Sequence, residues 1–255
     1  MTGSSGDGRA AGVPGLSPNV LLLGLIFCGI GFGIGAGALA GSGAAFVFLM
    51  TGWVLGQCLH EYGHARAAHH CGLAPTGALT LDPLRAPAPV ATMLLPALFT
   101  ILGGIGFPSG AGVPPEAGLS RGRQSAVAAA GPAMSFAFLL TLALLYSLTS
   151  AEAETLRAVL AVSVLFQGTA LVLGLMPVPG LDGYGILRPW LPDSGTAILS
   201  WTDRMARHPS LVLLGLFLAS SAFTRPLFRA SLLLTETFGI DLTDVIAGFR
   251  LVRLW

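Results

Sequence analysis

The chain reads as a succession of long apolar stretches separated by short polar turns, the pattern of membrane-crossing helices. Residues 1–18 are rich in Gly, Ser and Pro, lack the charged start and cleavage site of a signal peptide, and predict a disordered tail. The first apolar stretch, residues 19–41, carries glycines at 24, 29, 31, 33, 35, 37 and 41, which permit close helix contact in lipid. The second runs from Ala44 to His64 and turns abruptly ionisable at His60, Glu61 and His64. Residues 77–83 alternate apolar and polar between Gly77 and Pro83, which predicts a short strand. Residues 90–107 are apolar but broken by Pro96 and by Gly103 and Gly104. Helices are predicted over 126–148, 156–175 and 210–223, and residues 226–255 are amphipathic, suited to lie along the membrane interface or dip into it. The expected fold is an all-α polytopic membrane protein of five to six transmembrane helices, with a short β segment and a re-entrant segment. Residues 19–255 form one membrane-embedded domain.

Composition supports that class. Of 255 residues, 53% are hydrophobic and only 10% charged, with a mean hydropathy of +0.77. A soluble domain carries about a quarter charged residues. Net charge is +1, there is no lysine, and no basic cluster is long enough for nucleic acid. Cys28, Cys58 and Cys71 are an odd number without paired spacing, so no disulfide framework is expected. Cys58, two residues before His60, reads as a small buried hydrophobe.

Arginines in short loops orient the helices. Arg66, Arg85, Arg121, Arg123, Arg188, Arg204 and Arg207 flank one set of helix ends, whereas Glu152 and Glu154 mark the opposite, outer side. The second stretch then ends on the cytoplasmic face of what is expected to be a bacterial cell membrane. Residues 90–107 enter and leave on that same face, the re-entrant segment named above, which needs protein or water to cover its backbone.

The motif His60-Glu61-Tyr62-Gly63-His64 carries the chemistry. Histidines at i and i+4 lie about 40° apart around a helix, so both imidazoles face one point. A glutamate beside the first reaches a metal-held water without being a ligand, the arrangement of zinc proteases. An apolar helix leads straight into the motif, and ionisable groups inside membranes are costly and functional by default. A catalytic zinc site needs a third protein ligand. Asp182 is the candidate, because Pro177, Pro179 and Gly180 break the chain just before it, on the same side of the membrane. Asp82, Asp193, Asp203 and Glu116 fall in polar loops and read as solvated. His69 and His70 read as headgroup-boundary residues, and His208 as a loop residue.

Three segments together resemble the site-2 proteases: HEYGH at 60–64, Gly131-Pro132-Ala133-Met134-Ser135, and residues 176–183, Met-Pro-Val-Pro-Gly-Leu-Asp-Gly. Their order and spacing fit the compact branch without an inserted PDZ domain, and residues 79–84 and 104–108 also look like that branch. The resemblance covers residues 19–190 well and the rest more loosely. It implies Zn2+ held by His60, His64 and Asp182, with Glu61 as catalytic base. The implied reaction is hydrolysis of a peptide bond in or near a transmembrane segment of a membrane-protein substrate. The segment around Leu79 and Leu81 would hold that substrate by strand addition. The family has Asn where Ser135 stands, and Asn where Gly174 or Met176 stands. Ser135 still offers a hydroxyl for substrate positioning. The missing amides support one alternative, a non-proteolytic membrane scaffold or regulator of the same fold. A small transporter with an ion relay would call for internal pseudo-symmetry, and the chain shows none.

Overall fold

The computed structural model describes residues 15–74, 76–85, 118–192, 197–206 and 221–253. Helix α1 (Pro18–Gly35) starts where the Ser17 hydroxyl accepts from the Val20 N–H and Pro18 presets the first helical φ. Residues 15–17, which composition assigns to the tail, are held in place. The N–H groups of Gly15 and Ser17 donate to the carbonyls of Leu79 and Thr80, at 3.4 and 3.0 Å. Leu21, Leu22, Leu25 and Phe32 of α1 are exposed, the side of a helix that would face lipid.

Helix α2 (Ser42–His70) returns along α1, with the Phe27 and Phe48 rings stacked at 4.5 Å. Helices α3 (Arg121–Leu148) and α4 (Glu154–Gly174) follow, joined by the turn that carries Glu152. These four helices are long and apolar enough to cross a membrane. Helix α4 is central: Val159, Ala161, Val162 and Val164 are fully buried, and Phe166 meets Trp53 of α2 edge-on at 6.5 Å. Short helices α5 (Asp182–Leu187) and α6 (Ala197–Met205) come next, then α7 (Ser221–Thr237) and α8 (Leu242–Val252).

One sequence expectation is corrected. Residues 77–83 form no strand, and there is none anywhere among the described residues. Gly77–Thr80 is a 3-10 turn, closed by Leu79 N–H to Thr76 C=O and Leu81 N–H to Ala78 C=O. Leu81 then takes φ +54, a left-handed conformation that ends any extended run. The residues that the turn buries, Ala78 and Leu79 against Ala65 and Tyr62, are consecutive rather than alternate.

In the C-terminal segment, expected to lie along the membrane interface or dip into it, α8 packs on α4. A Cβ at Gly248 would fall on the Ala158 carbonyl oxygen, so only glycine lets the two helices approach this closely. In the first turn of α8, Asp244 accepts from the Tyr146 hydroxyl at 2.6 Å, and Arg157 bonds both Asp244 and the Tyr146 hydroxyl. The expected re-entrant segment at 90–107 lies outside the described residues. So does nearly all of the helix expected over 210–223.

Candidate metal centre

Residues 57, 60, 61 and 64 fall at i, i+3, i+4 and i+7 of α2 and therefore share one stripe, facing α3 and the chain after α4. Room for His64 comes from α3. A Cβ at Gly131 would overlap its imidazole, and a Cβ at Gly63 would fall on the Ala130 carbonyl oxygen. Asp182 arrives from the other side. After α4 the chain turns through Val178 N–H to Met176 C=O and Leu181 N–H to Val178 C=O, and Gly180 takes φ +93. Leu181 buries its side chain against Leu173 and Leu227, which aims the next residue, Asp182, inward at the first turn of α5.

Helix α5 is anchored firmly. The Ser125 hydroxyl donates to the Ile186 carbonyl at 2.7 Å and accepts from the Trp190 indole N–H at 2.9 Å. Arg188 forms a bidentate pair with Asp203, both contacts at 2.7 Å, and Tyr184 donates to the same carboxylate. Asp203, expected to be solvated, is thus an anchor. Asp82 accepts from the Asn19 amide and the Leu84 N–H. His69 and His70 are exposed at the end of α2, and Cys58 is buried with a free thiol. Asp193, His208 and Glu116 lie outside the described residues.

His60, His64 and Asp182 converge. His60 Nε2 lies 3.0 Å from His64 Nε2 and 3.2 Å from Asp182 Oδ2, and His64 Nε2 lies 3.2 Å from Asp182 Oδ1. Among the described residues this is the one group of three such side chains able to share an ion. Lone-pair groups this close need positive charge between them, from protons or a cation. A tetrahedral ion with bonds of 2.0–2.1 Å would hold its donors roughly 3.3 Å apart. The three distances match that spacing within a few tenths of an ångström, so the residues fit zinc.

The far ring nitrogens are fixed as well. His64 Nδ1 lies 2.8 Å from the Val127 carbonyl, which can only accept, so Nδ1 carries a proton and Nε2 is left for the metal. His60 Nδ1 meets the Ser135 hydroxyl at 2.9 Å. Ser135, which also borders the cavity beside Glu61, thus lies where it can orient that imidazole, a kind of contact that commonly tunes metal affinity. Glu61 is buried on the same stripe and borders a cavity of about 20 Å3 with His60, Gln57, Pro132, Ser135, Gly174 and Leu181. That volume suffices for one water. Leu79 is fully buried beside Tyr62, and the Leu79 and Thr80 carbonyls already accept from Gly15 and Ser17. An incoming strand would have to displace that pairing.

A Mycolicibacterium smegmatis protein named "Putative zinc metalloprotease Rip2" is 36% identical to the chain over 218 residues, covering 82% of this chain and 81% of its own length. Proteins of the same name from Mycobacterium tuberculosis match to the same extent, at 36% in strain H37Rv and 37% in strain Erdman. The chain belongs to the site-2 protease family. No family model and no solved structure matches it. The Val127 carbonyl and Gln57 were missed by sequence reasoning. A backbone carbonyl leaves no trace in sequence, but Gln57 could have been found, as an amide in an apolar helix on the stripe of HEYGH.

Proposed function

We propose that this protein is a zinc endopeptidase that hydrolyses a peptide bond in or near a transmembrane segment of a membrane-protein substrate. It would work from the cytoplasmic side of a bacterial cell membrane. One observation carries the reading: two helical histidines and a carboxylate from 118 residues further along converge with zinc-like spacing, beside a buried glutamate, in a bundle of membrane-length helices. Zinc, when bound by His60, His64 and Asp182, supplies Lewis acidity that polarises the scissile carbonyl. Glu61 takes a proton from the attacking water and hands it to the leaving amine as the C–N bond breaks. Val127 and Ser135 keep both imidazoles oriented throughout. Apolar neighbours Leu171, Leu173 and Leu181 confine water to the cavity beside Glu61.

The test is Glu61→Gln in purified protein with a membrane-anchored substrate. Zinc content should stay at the wild-type level and cleavage should vanish, because the ligands remain and the base is gone. Undiminished cleavage in this variant would overturn the mechanism. Wild-type protein that holds zinc yet cleaves no membrane-anchored substrate would favour the scaffold reading.

A further inference from the structure

Four polar side chains border the cavity beside the metal centre: Gln57, His60, Glu61 and Ser135. Three are committed. His60 and Ser135 bond each other at 2.9 Å, and Glu61 is an acceptor with a role as base. The neighbouring buried amide, Gln167, fills the space at Gly56 and donates to the Gly52 carbonyl at 3.4 Å. Gln57 differs. It is only 6% exposed, and its amide has no hydrogen-bond partner among the described residues. Leaving a buried amide unpaired is costly, and native proteins rarely do so without a reason. Gln57 sits one turn before His60 and Glu61 on the same stripe, about 5 Å deeper along α2.

A helical substrate hides its peptide groups, and cleavage requires them to be unwound. Each unwound N–H or C=O loses its helical partner, and in a cavity with room for one water it needs a partner from the protein. The Gln57 amide offers two N–H donors and one carbonyl acceptor, matching a free peptide group. We propose that Gln57 is a substrate-binding residue, whose side-chain amide hydrogen-bonds the substrate backbone unwound next to the scissile bond. This inference rests on the proteolytic reading above.

Two variants separate the amide from its volume. Gln57→Met keeps size but loses the amide; Gln57→Asn keeps the amide but loses a methylene. Each is measured for zinc content, melting temperature and kcat/KM on a membrane-anchored substrate. Each is also combined with Glu61→Gln to measure capture of uncleaved substrate. Gln57→Met should keep zinc and melting temperature, lose about 10- to 100-fold in kcat/KM, and weaken capture about tenfold. Gln57→Asn should retain more of both. Gln57→Met within threefold of wild type, or equal to or better than Gln57→Asn, would overturn the proposal by showing that Gln57 only fills space. Loss of zinc or of fold in Gln57→Met would overturn it too, as a structural role. Absence of cleavage by wild type would instead remove the proteolytic reading, and the proposal with it.

Discussion

Replacing Gly131 by alanine adds one methyl group, and its effect can be worked out from the packing of α3 against α2. The new Cβ would stand 2.6 Å from both Cδ2 and Cε1 of His64, and closer still to Nε2, where ordinary contact begins at 3.4 Å. The ring must therefore retreat by more than 0.8 Å, or α3 must move by as much. Helix α3 has little freedom to move, because Gly63 already lies against the Ala130 carbonyl and Ser125 ties α3 to α5. Metal–ligand distances tolerate only about 0.2 Å, so the ring's retreat breaks a bond to zinc. Disturbing a ligand's orienting partner alone costs 10- to 100-fold in metal affinity. Losing one of three ligands should weaken zinc by about 100-fold or more, roughly 2.7 kcal/mol. Helix propensity works the other way, since Ala is favoured over Gly by about 1 kcal/mol inside a helix. The steric term wins at the site while the fold is spared. Zinc affinity would be measured by chelator competition, with a thermal melt and Gly122→Ala as control, a position on α3 with open space around it. Wild-type zinc affinity in Gly131→Ala would refute the reasoning.

Three further outcomes are expected. Asp182→Ala should lower zinc content and cleavage together, whereas Asp82→Ala, whose carboxylate serves Asn19, Leu84 and Arg85 among the described residues, should change neither by more than about twofold, as metal analysis would show. Tyr146→Phe should cost about 1–3 kcal/mol by removing the hydroxyl that Asp244 and Arg157 share while leaving those two paired, a fall of roughly 3–10 °C in melting temperature with zinc content unchanged. Single cysteines placed at Glu152 and at Arg123 should label from opposite sides of the membrane, with Arg123 facing the cytoplasm; labelling from one side would overturn the orientation.

The residues that converge at the candidate metal centre were legible for different reasons. His60, Glu61 and His64 share one helix, so the helical period alone places them on one face. Asp182 was legible through its breakers, since Pro177, Pro179 and Gly180 end α4 and turn the chain. The turn at 77–80 was misread because its apolar spacing suits a strand, whereas the chain buries the consecutive pair Ala78 and Leu79 together, which a strand would send to opposite faces. A strand needs a partner, and the neighbouring segment supplies only two N–H groups, from Gly15 and Ser17. The docking of α8 was not legible at all. Its amphipathic pattern suits a membrane interface equally well, and the deciding contacts, Gly248 to Ala158 and Asp244 to Tyr146, join residues about a hundred positions apart.

Two helices independently set the depth of the metal centre. On α2, His64 lies six residues before the exposed His70 at the helix end, about 9 Å along the axis. On α3, Val127, which orients His64, lies six residues after Arg121 at the helix start, again about 9 Å. The agreement follows from geometry, because α2 ends and α3 begins at one end of the bundle and they meet at His64. A site about 9 Å inside is shallow enough for water to reach from that end, yet deep enough to be walled by apolar side chains. At that depth an unpaired charge costs several kcal/mol, so the three ligands are tolerable only as a set whose charges offset one another. Removing any one of them should therefore disturb the folded bundle more than removing Glu61, which stands beside the set without completing it.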